Sequence, residues 1–276
     1  MHWNRGLGKG VVASVNLVLI TLIGCSDVFG EPKGATLIVD GQHGQLFGAA
    51  LGGSWLLPDD AMELMDGPIL FALYNQRGLQ GRCTIQVAWE RGEICAQPAL
   101  NTRDCVVRPD ENTVMITASW NATPRLVENL DSRHAAYRKL LSEWLSDQSI
   151  DDAKPVIRQL LRVDLEGDGV NEILISATRH RGGVRSASAG DYSVVVLRKI
   201  ASNTVQTIAL QKDLYHEVCE GECEPQASRV IAVLDVNGDG VLEIITEAKS
   251  FESVKRTIFS VVDGSAQSRL SWNCTV

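Results

Sequence analysis

The sequence predicts a mainly β chain with α (α+β), built of antiparallel β repeats the size of a propeller blade, open rather than closed, with one amphipathic helix packed on the sheet. Three observations lead there. "DLEGDGVNEI", Asp164 to Ile173, and "DVNGDGVLEI", Asp235 to Ile244, are near copies at an offset of 71 residues. Both are flanked by β-branched, alternating segments of strand character. One segment, Asp131 to Gln148, carries helical periodicity instead. A period of about 70 residues accommodates four strands, one blade, and two copies are too few to close a ring, which takes about four or more.

The elements follow in chain order. Arg5 and Lys9 precede the apolar run Val11 to Gly24, which is shorter than the roughly 20 residues needed to span a bilayer and reads as a secretory leader. Residues 25–34 are a polar tether, and "ATLIVDG" from Ala35 is a strand ending in a turn. The stretch from Leu46 to Tyr74 is mixed, with a short helix after Pro58 capped by Asp59 or Asp60. "GRCTIQVAWE" and "NTVMITASW" alternate like strands across a cysteine-rich connection. In the helix, Tyr137, Leu140, Leu141, Trp144 and Leu145 form one apolar stripe behind an Asp131 or Ser132 cap. Each acidic loop is entered and left by a strand, and a hairpin follows each pair. The expected organisation is therefore a leader at 1–24, the tether, an N-terminal mixed α/β lobe with disulfides at 35–128, and the helix with two repeats at 129–276.

Composition narrows the function. The formal charge is −8, and losing Arg5 and Lys9 with the leader takes it to −10. Such a balance opposes nucleic-acid binding, which needs a basic patch, and suits divalent cations. Apart from Cys25, the chain holds Cys83, Cys95, Cys105, Cys219, Cys223 and Cys274, an even number that reads as up to three disulfides in an exported protein. Cys219 and Cys223 bridge locally across "CEGEC", and a Cys95 to Cys105 loop is the favoured second pair. Zinc at Cys219, Cys223 and His216 is the opposing reading, and its spacing is poor zinc grammar. The Asn121 and Asn273 sequons are of a number expected by chance.

Calcium takes six to eight oxygens from carboxylates, amides, carbonyls and water. The first loop offers Asp164, Glu166, Asp168, the Val170 carbonyl and Glu172. The second offers Asp235, Asn237, Asp239, the Val241 carbonyl and Glu243. Glycines at the fourth and sixth positions of each let the backbone wrap. An EF-hand fails, because its twelfth position is Ile175 or Thr246 here and its flanks would be helices. A solvated turn without an ion is the plain alternative. With four carboxylates against three, the first loop is expected to bind calcium more tightly.

Two resemblances sharpen these expectations. Leu22, Ile23, Gly24 and Cys25 resemble the bacterial lipobox, which implies cleavage before Cys25, its acylation and an envelope location, the outer membrane where one exists. The loops resemble the FG-GAP and VCBS-type calcium repeats of integrin-like β-propellers, over Asp164 to Thr178 and Asp235 to Glu247. That likeness implies one structural calcium per loop, held by the residues just named, in a lipoprotein of unassigned role. Glu166 is longer than the usual Asp or Asn, and the FG and GAP tripeptides are not evident.

No catalytic grammar assembles. "GGSWL" around Ser54 lacks the G-x-S-x-G elbow, the histidines are scattered, and Asp40 with His43 is only a weak partner set for Ser54. "RHRGGVRSASAG", Arg179 to Gly190, reads as a solvated loop, with an anionic glycan or phosphate contact as the alternative. The preferred function is a lipid-anchored envelope module that binds a protein or polysaccharide partner or scaffolds an assembly. A calcium-dependent glycan hydrolase or lyase is the alternative.

Overall fold

The computed structural model describes residues 34–90, 95, 97–103, 105, 110, 112–151, 154–201, 204–221 and 223–275. The leader and Cys25 lie outside the described residues. The strands are β1 (Thr36–Asp40), β2 (Leu46–Leu51), β3 (Ser54–Leu56), β4 (Pro68–Asn75), β5 (Gly78–Gln86), β6 (Trp89–Glu90), β7 (Ala99–Leu100), β8 (Val114–Ile116), β9 (Glu128–Asn129), β10 (Ile157–Val163), β11 (Glu172–Arg179), β12 (Ser186–Ala187), β13 (Tyr192–Ala201), β14 (Thr204–Leu214), β15 (Cys219–Glu220), β16 (Ala227–Leu234), β17 (Glu243–Lys249), β18 (Ser253–Val262) and β19 (Ser265–Thr275). The helices are α1 (Pro58–Met62) and α2 (Ala135–Asp147).

Three antiparallel sheets carry the fold. The N-terminal sheet runs β3-β2-β1-β8-β4-β5, the first repeat β14-β13-β11-β10-β9, and the second β16-β17-β18-β19. Each repeat is thus a four-strand meander, with β9 added at the edge of the first. Turn chemistry sets the last hairpin: Asp263 and Gly264 both adopt positive φ, 49° and 73°, and Val262 pairs with Ser265. This is the backbone of a two-residue primed turn, for which Asp-Gly is a favoured pair.

The second-repeat sheet is buried on both faces, which explains its nearly continuous apolar strands. Ala232, Ile245, Ile258 and Trp272 meet Ile38, Phe47 and Val114 of the N-terminal sheet. One position along each strand, Val233, Ile244 and Phe259 face the first-repeat sheet through Leu174, Val195 and Leu197. The other face of the first-repeat sheet takes Leu141 and Leu145 of α2 against Ile175, Val194 and Val196. The layers are therefore N-terminal sheet, second repeat, first repeat and helix. They form an open stack with edge strands. The far face of the N-terminal sheet packs Leu37, Phe71 and Met115 beneath Ala61 of α1.

Several expectations are corrected. Cys105 pairs with Cys83, and Cys95 pairs with Cys274, so the favoured Cys95 to Cys105 loop does not form; only Cys219 to Cys223 pairs as read. The Cys95 partner lies 179 residues away, a distance that sequence spacing cannot convey. Three disulfides fit an oxidising compartment outside the cytosol. No helix among the described residues is long and apolar enough to cross a membrane. The mixed stretch from Leu46 to Tyr74 contains three strands, β2, β3 and β4, and α1 starts from Leu57 with Asp59 and Asp60 in its first turn rather than at its cap. Asp131 likewise does not cap α2, whose N-cap is His134; its carboxylate accepts from the Arg133 N–H at 2.9 Å one turn earlier.

A buried ion network links the sheets. Arg256 of β18 is wholly buried and donates to Asp40 at 2.6 Å, at the end of β1, and to Glu247 of β17 at 2.8 Å. Its guanidinium lies 5.8 Å from the Trp272 ring centroid.

Candidate metal sites

The acidic loops join β10 to β11 and β16 to β17, and both wind around their first aspartate. Asp164 accepts the N–H of Gly167 at 2.6 Å and of Gly169 at 2.9 Å; Asp235 accepts Gly238 at 2.7 Å and Gly240 at 3.1 Å. These four glycines have φ between 75° and 86°, the left-handed conformation that side chains disfavour. The closing glutamate folds back in each copy. Glu172 accepts from the Leu165 N–H at 2.9 Å, and Glu243 from the Val236 N–H at 3.1 Å. Asp168 and Asp239 each accept the amide of the ligand-position valine, Val170 or Val241, at 2.8 Å.

Electrostatics separates the two loops. In the first, Lys199 of β13 donates to Glu166 and lies 3.6 Å from Glu172. Burial works against the Lys199 ammonium, but the two glutamates more than offset it and raise its pKa. Burial also pushes the Glu172 carboxyl up, partly countered by the Leu165 amide and by Lys199. Asp164 is desolvated too, yet the N–H groups of Gly169 and Gly167 hold its pKa below the ordinary value.

The second loop is more deeply placed. Asp235 and Glu243 are 4 % and 1 % exposed. Burial, with repulsion from Asp239 and Asp235, raises the Glu243 pKa to about 8, against hydrogen bonds from Val236 and Ser260. Burial raises Asp235 as well, despite the Gly238 and Gly240 amides. The Asn237 amide nitrogen stands between the remaining acids, 2.9 Å from Asp239 and 3.4 Å from Glu243. The Asn237 Oδ1 accepts the Asp239 N–H at 3.0 Å, so the amide N–H groups, and not the oxygen, face the two carboxylates. Among the described residues, no group of three or more His, Cys, Asp or Glu side chains is placed to hold a metal ion. The Asp235 oxygens are turned toward backbone amides instead.

The loops are clamped together by residues that the sequence reading passed over. Arg125 donates to the carbonyls of Asp164 at 2.6 Å, Leu165 at 2.9 Å and Gly240 at 2.6 Å. The Leu242 N–H donates to Leu165 O at 2.9 Å, joining loop to loop. Trp120 donates from Nε1 to Asp235 O at 2.9 Å and lies over Gly238, where an added Cβ would come within 3.1 Å of its ring. Both side chains come from "SWNATPRL", far from either loop in sequence, and their targets are backbone carbonyls with no residue signature.

The alternative sites dissolve into structure. Asp40 accepts the amides of Gln42 at 2.8 Å and His43 at 3.0 Å besides Arg256, while Ser54 sits on edge strand β3, paired with Leu51. Cys219 and Cys223 are bonded to each other and are not thiolate ligands. In the basic loop, Arg181 is engaged by Asp191 at 2.8 Å and Arg185 by Glu252. Comparison with protein-family models, curated proteins and solved structures finds no match to this chain.

Proposed function

We propose that the protein is a lipid-anchored envelope module whose stacked β sheets are stapled by calcium and present a surface for binding or scaffolding. Calcium belongs to the second loop, with Asp235, Asn237, Asp239, the Val241 carbonyl and Glu243 as its ligands. One observation carries this reading: the residue that stands beside the closing glutamate is a cation in one repeat and neutral in the other. Arg198 and Phe259 are equivalent, since they pair with Ile173 and Ile244. The next residues are Lys199, whose ammonium meets Glu172, and Ser260, whose hydroxyl donates to Glu243 at 3.2 Å. The first loop carries its own cation, whereas the second buries two carboxylates beside a neutral group, an arrangement that favours an external cation. This reverses the ranking by carboxylate count, because charge on β13 outweighs the extra Glu166.

Titration calorimetry of the mature chain with calcium tests this directly. One ion per chain is expected, with a rise in melting temperature that Glu243→Gln and Asp235→Asn abolish. Absence of heat and of a melting shift would sink the calcium reading. Acylation is checked by mass spectrometry of the cell-derived protein before and after Cys25→Ser.

A further inference from the structure

At the seam of the three sheets, a cavity of about 450 Å³ opens between the β4–β5 hairpin, the turn before β8 and the edge strand β9. Gln76, at the hairpin tip, donates from Nε2 to Val230 O of β16 at 2.7 Å, which ties the N-terminal sheet to the second repeat. Asn129 belongs to β9, which joins the first repeat through Leu161. Seams between packed units are a preferred place for small-molecule sites, and the volume falls in their range. The lining is polar throughout. Asn75, Gln76, Asn112 and Asn129 bring amides, Arg77 and Asp110 are the charged groups, and no apolar side chain among the described residues takes part.

Part of this lining is fixed and part is free. Asn75 is buried; its Oδ1 accepts the Arg77 N–H at 2.8 Å, and its Nδ2 donates to Asp110 at 3.4 Å. Asp110 also accepts the Asn112 N–H at 2.8 Å and the Thr113 hydroxyl at 2.9 Å, which holds the turn before β8 in shape. The exposed Arg77 guanidinium and the side-chain amides of Asn112 and Asn129 make no hydrogen bond or ion pair among the described residues. Gln76 Oε1 likewise accepts from no donor among them and, unlike Gln45 Oε1, is not sealed from solvent. The free groups thus include both donors and acceptors, which is what a hydroxyl needs, since it gives one proton and accepts others. Charge is balanced as well. Arg77 and Asp110 oppose one another in sign, and Glu128, next to Asn129, is already paired with Arg162. Neither an apolar body nor a net charge finds its complement here.

We infer that this cavity binds an uncharged sugar residue of a polysaccharide. Neighbouring ring hydroxyls accept from the Asn112 and Asn129 amides and from Arg77, and they donate to Asp110 and to Gln76 Oε1. An acidic sugar fits poorly, since the one cation of the lining is matched by Asp110 in an acidic protein. The inference deepens the binding part of the proposed function and rests on it, while making no use of the calcium loops.

The test uses the mature chain in calcium buffer with the neutral hexamers maltohexaose, cellohexaose, mannohexaose and chitohexaose, and with hexagalacturonate as the acidic one. Calorimetry gives affinities, and the side-chain amide NMR resonances of Asn112 and Asn129 locate binding. At least one neutral hexamer is expected to shift both resonances. Its affinity should be unchanged by added salt and weakened about tenfold by Asn112→Ala or Asn129→Ala. Tighter binding of hexagalacturonate than of every neutral hexamer overturns the inference and leaves the binding reading standing. The site itself is overturned if no neutral hexamer at about 10 mM moves either resonance, or if both alanine variants bind as well as the parent. Neither residue lies in the core, and an unchanged melting temperature shows that lost binding is not lost folding. The calcium-dependent melting shift, read on the same samples, tests the calcium part separately.

Discussion

Lys199 and Ser260 occupy equivalent places in the two repeats, each beside the glutamate that closes its loop, at 3.6 Å from Glu172 and 3.2 Å from Glu243. An ammonium in one copy and a hydroxyl in the other make two nearly identical loops electrostatically opposite. Exchanging the two residues should exchange the behaviour. Lys199→Ser leaves Glu172 buried at 2 % exposure without its cation, so it should destabilise the calcium-free protein by about 3 to 5 kcal/mol. Calcium should restore much of that loss, and calorimetry should count two ions per chain instead of one.

Ser260→Lys is the converse. The new ammonium beside Glu243 should remove the calcium-dependent melting shift while leaving the calcium-free protein as stable as before or more so. A variant that still gains stability from calcium would place the ion elsewhere.

Glu243 also sets a pH dependence. Its carboxyl titrates at about 8 in the fold against an ordinary 4.5. Below 4.5 it is protonated in both states; between these values the folded protein holds a proton that the unfolded chain has released. Calcium-free stability should therefore fall as pH rises through that window, on the order of 1.4 kcal/mol per pH unit, and level off above it. Calcium displaces that proton and should flatten the slope, as should Glu243→Gln. Urea unfolding at several pH values reads both.

The repeats, their four strands apiece and the helix stripe are written in local periodicity, so Leu141, Leu145 and the alternation at Ile244 and Ile245 were legible. The order of the layers was not, because the second repeat lies between the N-terminal sheet and the first repeat, out of chain order. The loop residues were readable as a pattern, yet their ranking depended on Lys199, 27 residues beyond Glu172 and brought back by a hairpin register. β2 and β4 were hidden for the same kind of reason: "LFGAAL" and "PILFALYN" lie in a sheet packed on both faces, and lack the alternation that marks a half-exposed strand.

Arg256 offers a test of how the N-terminal sheet is held to the second repeat. Arg256→Met leaves Asp40, fully buried, and Glu247, 5 % exposed, without the guanidinium that both share. A loss of about 3 to 5 kcal/mol is expected in chemical denaturation. Lys139→Met, which breaks the exposed pair with Glu143 at 3.8 Å on α2, should change stability by less than about 0.5 kcal/mol.

The end of α2 should yield a gain. Ser149 has a φ of 62°, its N–H donates to Ser146 O at 2.9 Å, and the Ile150 N–H donates to Leu145 O at 3.0 Å. This is a Schellman closure, with Ile150 buried against Leu145 as the accompanying apolar contact. Glycine is the residue usually found at the left-handed position, because a Cβ costs about 1 kcal/mol or more there. Against that, glycine gives the unfolded chain more freedom. The conformational strain is the larger of the two, so Ser149→Gly should raise stability by about 0.5 to 1 kcal/mol. The increase should appear in thermal melts with and without calcium, since the helix packs on the face of the first repeat away from the second.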